Sequence, residues 1–440
     1  MYSNVETWAN LSVDQREKLL SRPALANDKE ITKSVAGIIR SVRRDGDAAL
    51  RKLTAKFDKV DLEDFKVTAA EFRDAADTLS DNSKRAIGVA IRNVSRFHEA
   101  QLPAEIDLQI DEGIRCERRT RAIDSVGLYV PAGSAPLPSA AVMLAIPARI
   151  AGCSTRIMCT PVSQGSRADP ATLYVAQECG ISNVFKLGGA QAIAAMAYGS
   201  QSVPRVNKIF GPGNSWVTAA KRQVATDPSA ASIDMPAGPS EALVIADSTA
   251  NPLFVAADLL SQAEHGADSQ VILLSTCVQI AEKTVQEIDR QLKGLTRKEI
   301  ARKAMTHCRI VVVNDLQTAM TIANQYAPEH LLLQIDDPRR ALDGIQNAGS
   351  VFVGPWSPES VGDYCSGTNH VLPTFGMARS CSGLGVEHFL RQMTIQELSK
   401  TGLRSIADSV IELATLEGLD GHANAVRVRL DENIAMETRE

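Results

Sequence analysis

Seven histidines occur in the 440 residues, and four of them, His265, His330, His370 and His422, stand in polar clusters of the second half. In Ser261-Gln262-Ala263-Glu264-His265-Gly266 the residues Gln262 and His265 are three apart, so at a helix end they share a face and can enter one site. A histidine favourably placed before a glycine cap is the plainer alternative. In Ala327-Pro328-Glu329-His330-Leu331 an acid and an imidazole stand side by side where a helix gives way to a strand. Adjacent side chains are expected to diverge there and to serve two atoms of a substrate. Glu329 could activate water and His330 accept a hydroxyl proton near neutral pH; a solvated turn is the competing reading. Asp363 and His370 lie in a loop rich in glycine and serine, and His422 lies near the C-terminus. Gln262, His265, Asp363 and His422 would together offer nitrogen and oxygen ligands without thiolate, suited to a catalytic zinc with open positions. No His-Glu-x-x-His is present, so pattern alone leaves the metal open.

Three turns carry glycine where a phosphate would be held: Gly133-Ser134, Gly188-Gly189-Ala190-Gln191 and Gly211-Pro212-Gly213-Asn214. Glycine lets backbone amides approach a ligand, and a following helix N-terminus favours an anion. None is the Gly-x-Gly-x-x-Gly pattern, so each alone reads as a tight turn, and three in one domain strengthen the ligand reading. The eight cysteines include no Cys-x-x-Cys pair and are expected to be reduced, inert thiols.

These residues need a scaffold. Ile31, Val35, Ile38, Ile39 and Val42 fall at helical spacing, and helical patterns continue through Phe97. From Val126 short apolar strands alternate with helices: Val126–Val130, Arg156–Cys159, Val184–Leu187 and Lys208–Phe210. A second series follows at Ala242–Ala246, Val271–Leu274, Ile310–Val313, Leu331–Gln334 and Val351–Val353. Two α/β domains with parallel sheets are predicted, their binding loops at the strand C-termini. Residues 1–22 read as a docking segment without a core of its own. Ile395–Leu416 reads as helix in an arm that docks on a neighbour. With 47 basic against 52 acidic residues, a net charge of -5 and 44% hydrophobic residues, the composition suits a soluble globular protein with no nucleic-acid footprint. No apolar run is long enough for a membrane span and the start has no signal-peptide pattern, so a cytoplasmic location is expected.

Read together, the clusters resemble those of the histidinol dehydrogenase family. The resemblance is carried by Val126-Gly127-Leu128-Tyr129-Val130-Pro131, Gly188-Gly189-Ala190-Gln191-Ala192, Phe210-Gly211-Pro212-Gly213-Asn214 and Ile233-Asp234-Met235-Pro236-Ala237-Gly238-Pro239-Ser240-Glu241. Ser261 to Gly266, Pro328-Glu329-His330 and Ser366-Gly367-Thr368-Asn369-His370-Val371-Leu372-Pro373 complete it. It implies two incomplete Rossmann-like domains, one inserted in the other, with small N- and C-terminal helical segments. The bounds would be 1–22 for a docking segment, 23–128 with 240–384 for a zinc and substrate domain, 129–239 for an inserted NAD-side domain, and 385–440 for a dimer arm.

The resemblance further implies one zinc per subunit on Gln262, His265, Asp363 and His422, with Glu417 and His422 reaching the site of the partner in a homodimer. Substrate would meet Ser240, Gln262, His265, His330, Asp363, Glu417 and His422, and NAD would meet Tyr129, Gln191 and Asn214. The implied reaction takes L-histidinol through the aldehyde to L-histidine with two NAD, His330 removing the alcohol proton and Glu329 activating water. Ala132 stands where many relatives have glycine, and would strain the NAD-side loop if that position needs positive φ. Relatives that oxidise sulfonated diols share the scaffold, and such a diol is the alternative substrate. A zinc hydrolase leaves the glycine turns without a role, and a non-catalytic scaffold predicts loss of a ligand or base, none of which is lost.

Overall fold

The computed structural model describes residues 5–22, 28–132, 135–162, 165–235 and 238–431; Gly133-Ser134 of the first glycine turn and Pro236-Ala237 of the central motif lie outside the described residues. The strands are, in chain order, β1 (Val5–Thr7), β2 (Ile106–Asp111), β3 (Ile114–Ala122), β4 (Ser125–Tyr129), β5 (Thr155–Thr160), β6 (Asn183–Lys186) and β7 (Lys208–Phe210). They continue with β8 (Ser232–Ile233), β9 (Glu241–Ala246), β10 (Gln270–Ser275), β11 (Arg309–Val312), β12 (His330–Gln334), β13 (Ser350–Val353) and β14 (Leu390–Leu398). The chain divides into two compact units, Met1–Gln101 with Ile123–Phe389, and Leu102–Ala122 with Leu390–Glu440.

The first unit holds two parallel sheets, of order β6-β5-β4-β7-β8 and β1-β11-β10-β9-β12-β13. In each the earliest strand of the strand-helix series is central. The chain winds two strands to one side and then crosses to the other, which is the doubly wound arrangement. The fold is α/β, as predicted, and every strand expected in the two series is present. Strands β9 and β10 are buried along their whole length. Their unbroken Ala242-Leu243-Val244-Ile245 and Val271-Ile272-Leu273-Leu274 runs are the signature of a parallel sheet covered on both faces. Between them the helix Pro252–Ala263 starts where the Asn251 side chain accepts the Leu253 N–H at 3.0 Å, with proline in its first turn.

Two segments differ from the sequence expectation. Val5–Thr7, read within a docking tail, adds a parallel edge strand beside β11, and Leu19 of the following helix is buried among Ile245, Leu274 and Tyr326. In the second unit, Ile395–Leu398, expected as helix, ends the strand β14, which pairs antiparallel with β3 from Leu390↔Ala122 to Leu398↔Ile114. The charged and polar residues of both strands hide the two-residue period, and the pairing overrides helical spacing. Leu102–Ala122, expected within the metal-side domain, instead forms one unit with the C-terminal segment, because β2 and β3 give β14 its partners. Ser399 then starts the helix Lys400–Leu416, its hydroxyl accepting the Gly402 N–H at 3.1 Å. Ile106, Leu108 and Ile110, two apart and so on one face of β2, are exposed.

The helix Leu316–Tyr326 ends at Ala327, which is fully buried with φ +52°, a left-handed conformation that penalises a Cβ. Ala327→Gly should therefore stabilise the protein by about 0.5–1 kcal/mol. A denaturant midpoint that does not rise would show that side-chain packing, not the backbone, sets this turn.

Candidate active site

The β9 and β12 strands are neighbours at the point where the strand order reverses, with His330 opposite Ala242. The peptide of Glu241, first residue of β9, gathers the pair from the next strand. Its N–H donates to Glu329 Oε2 at 2.8 Å, and its carbonyl lies 3.1 Å from His330 Nδ1. A carbonyl only accepts, so Nδ1 carries the proton and Nε2 is the free base. Rather than diverging, the two side chains converge, with Glu329 Oε2 3.6 Å from His330 Nδ1, and both are buried rather than solvated.

Gln262 and His265 arrive from the C-terminal end of Pro252–Ala263. The buried Gln262 amide is satisfied in one orientation only. With Nε2 toward Glu329 it stands 3.4 Å from Oε2 and 3.5 Å from His330 Nδ1, donor against donor. Turned over, Nε2 donates to Glu359 Oε1 at 2.9 Å and the oxygen accepts the Glu241 N–H at 3.2 Å, which satisfies both ends. His265 Nε2 lies 3.6 Å from Asp363 Oδ2, and His330 Nε2 lies 3.9 Å from Asp363 Oδ1. His370 Nδ1 bonds the Asp363 carbonyl at 2.8 Å and stands 3.8 Å from its carboxylate. Ligand atoms of His265, Glu359 and Asp363 all fall within 4.8 Å of one another.

Glu359 escaped the sequence reading. It lies four residues before Asp363 on the helix Glu359–Tyr364, a spacing that puts both acids on one face and could have signalled it. Gly362 lets that helix sit close, since a Cβ there would meet the Phe352 ring at 2.6 Å. Ser240 lies just before β9, beside Arg22, Asp268 and Phe375.

Burial sets the charges. It pushes the Glu329 carboxyl far above the usual carboxylate range, with Glu241, Asp363 and Glu359 adding to the shift. It lowers His330 to about 4, so the imidazole is neutral at pH 7. Glu359 is raised by burial and by Asp363, and Asp258 is raised to about 7 by burial. Burial would raise Asp363 too, but His265, His370 and His330 outweigh it and hold this carboxylate ionised.

In the other sheet, Tyr129 ends β4, Gln191 lies in the first turn of the helix Gly189–Tyr198, and Asn214 caps the helix Ser215–Ala225. The Tyr129 hydroxyl accepts the Gly189 N–H at 3.0 Å. Gly211, at φ +122°, passes so near that a Cβ would meet the Tyr129 carbonyl at 2.2 Å. The two described glycine turns thus meet around Tyr129, at the C-terminal edge where the strand order reverses. Behind them the buried Lys221 donates to the Gly211 carbonyl at 2.8 Å and pairs with Asp234, whose other oxygen accepts the Gly211 N–H. Non-glycine residues with positive φ among those described are Lys59, Ser166, Ala327 and Phe375, so Ala132 carries no such strain.

Glu417 and His422 belong to the second unit. Glu417 caps the helix Lys400–Leu416, His422 lies in the first turn of Asp420–Leu430, and both are exposed.

The histidinol dehydrogenase family pattern matches residues 21–430. Histidinol dehydrogenase of Yersinia pestis is 52% identical over 429 residues, covering 98% of this chain and 96% of its own. That of Shigella dysenteriae is 50% identical over 430 residues, 98% of both chains. The crystal structure of histidinol dehydrogenase from Elizabethkingia anophelis superposes with a TM-score of 0.93 at 44% identity, over 97% of this chain and 98% of that one. On this end-to-end likeness of sequence and fold, the chain belongs to the histidinol dehydrogenase family.

Proposed function

We propose that this chain oxidises L-histidinol through L-histidinal to L-histidine, the last steps of histidine biosynthesis, with two NAD and one water per turnover. It would work in the cytoplasm as a zinc-dependent homodimer. The observation that carries the reading is the buried pair Glu329 and His330, set on one peptide beside Gln262, His265 and Asp363. No helix among the described residues is long and apolar enough to cross a membrane.

The residues present fit a zinc ion. Glu329, Glu359 and Asp363 crowd three buried carboxyls together, which a shared cation would relieve. Gln262, His265 and Asp363 would hold it, with His422 of a second copy completing the set. The metal supplies a Lewis-acidic anchor for the imidazole and amino nitrogens of histidinol. Tyr129, Gln191 and Asn214 would hold NAD, the hydride acceptor of both oxidations, at the glycine turns. The exposed row Ile106, Leu108 and Ile110 supports an arm that buries this face on a partner.

His330, neutral and with Nε2 free, takes the alcohol proton as the carbinol carbon gives up its hydride. Glu329 takes a proton from the water that adds to the aldehyde carbon, and the resulting hydrate loses the second hydride to give the carboxylate. Both groups are already fixed by the Glu241 peptide, which limits the reorganisation the reaction would require.

The first test is NADH formed per L-histidinol consumed by the zinc-loaded protein: two, with histidine as product, is expected, and no turnover would overturn the reading. Glu329→Gln should slow oxidation of supplied histidinal more than that of histidinol, and equal losses would remove Glu329 from water activation. In the chelator-treated protein, the depressed pKa of His330 contributes stability that is complete above its ordinary value of 6.5 and is lost as pH falls toward about 4. Glu329 acts oppositely, its contribution being lost as pH rises above its ordinary value. His330→Gln should therefore lose less melting temperature than the parent between pH 6.5 and 4, and parallel losses would contradict a buried neutral imidazole.

A further inference from the structure

Glu241 is held by a residue from the far end of the sequence. Arg22 Nε and Nη2 approach the two Glu241 carboxylate oxygens at 2.5 and 2.9 Å, a bidentate pair with side chains only 14% and 3% exposed. Nη2 also donates to the carbonyls of Tyr326 at 2.8 Å and Ala327 at 3.5 Å, and the guanidinium lies 4.0 Å over the Tyr326 ring. Burial opposes this charge, yet the bonds to Glu241 raise the guanidinium pKa above its ordinary value. Glu241 Oε1 in turn accepts the N–H of Phe375, whose φ is +57° and whose ring occupies the space a Cβ on Gly238 would need. Arg22 therefore ties together the start of β9, the turn leading into Glu329 and His330, and the Phe375 turn.

We infer that Arg22 is a positioning residue for the reaction: through the Glu241 carboxylate it holds the peptide on which Glu329 and His330 are set. This rests on the dehydrogenase reading above. Without Arg22 the buried Glu241 carboxylate keeps only the Phe375 N–H and two carbonyls lose a donor, and the cheapest relief is to swing the Glu241 end of β9 toward water. The two bases would then lose their common reference, and a shift of about 1 Å at such a site costs on the order of 100-fold in rate. Lysine cannot reproduce the two-pronged contact together with the carbonyl bonds.

The test compares wild type, Arg22→Lys and Arg22→Ala as zinc-loaded full-length proteins. Readouts are zinc content, kcat and KM for histidinol and NAD, and the ¹⁵N imidazole signal of His330, assigned by its absence in His330→Gln. We expect full zinc and an unchanged KM for NAD in both variants. The kcat of Arg22→Ala should fall about 100-fold, with a smaller fall in Arg22→Lys and partial rescue of Arg22→Ala by added guanidinium at non-denaturing concentration. The His330 signal should show Nδ1–H in wild type and tautomer exchange in Arg22→Ala. A lowered denaturation midpoint with unchanged kcat per zinc site would make Arg22 merely structural and overturn the inference. If Arg22→Ala does not fold, Arg22→Lys and Glu241→Gln carry the same comparison. Should wild type give no NADH from histidinol, the dehydrogenase reading falls by itself. The tautomer arm would still decide whether Arg22 sets His330, an unchanged signal overturning it.

Discussion

The site depends on one peptide group. At Glu241 the central strand of a doubly wound sheet begins, where the strand order reverses, and the N–H of this first residue is taken by a side chain of the next strand's approach. Glu329 takes the N–H and His330 meets the carbonyl. The backbone demand for hydrogen bonds and the placing of a carboxyl beside an imidazole are met by the same contacts. This also settles a matter of direction. Doubly wound sheets bind ligands at strand C-termini, and the glycine turns around Tyr129 lie at that edge. Glu241 and His330 instead open their strands, so Glu329 and His330 gather at the N-terminal edge of the other sheet, where the helix bearing Gln262 and His265 returns.

Electrostatics divides the labour between neighbours. Burial acts on Glu329 and His330 alike by disfavouring charge, and so drives their affinities for protons in opposite directions. The imidazole is left a neutral acceptor, while the carboxyl becomes a strong base once ionised. Asp363 stays ionised among three histidines. Carboxyls outnumber positive charges around Glu329, Glu359 and Asp363, which is a poor state for a dry protein interior and a good one for a divalent cation.

In the other sheet the glycine turns are supported from behind. Lys221 and Asp234 bracket the Gly211 peptide from a fully buried position, clamping a turn whose close approach to Tyr129 only glycine permits. In both sheets, then, a buried ion pair braces a strand end: Arg22 with Glu241 in one, Lys221 with Asp234 in the other.

Much of this was legible in the sequence. Short apolar runs rich in branched residues and bounded by turn signals, such as those of β9 and β10, read as strands covered on both faces, and their alternation with alanine-rich helices points to parallel sheets, so the α/β class and every strand of the two series followed from local pattern. Gln262 with His265 and Glu329 with His330 were visible because their residue types and spacing are themselves chemical statements. The polar strands β2, β3 and β14, the edge strand at Val5–Thr7 and the partnership of Leu102–Ala122 with the C-terminal segment were not, because pairing between distant segments leaves no mark on local periodicity. Arg22 was silent for the same reason, and Glu359 showed only in its four-residue spacing from Asp363. An acid or an arginine reads as surface until the fold buries it against a partner 98 or 219 residues away, as Ser261 does for Glu359 and Glu241 for Arg22. The sequence by itself determined which chemical groups the protein owns and which elements carry them. Only the tertiary structure decided which of those groups share a peptide, which are stripped of water and which stay charged, since those properties belong to contacts between residues remote in the chain.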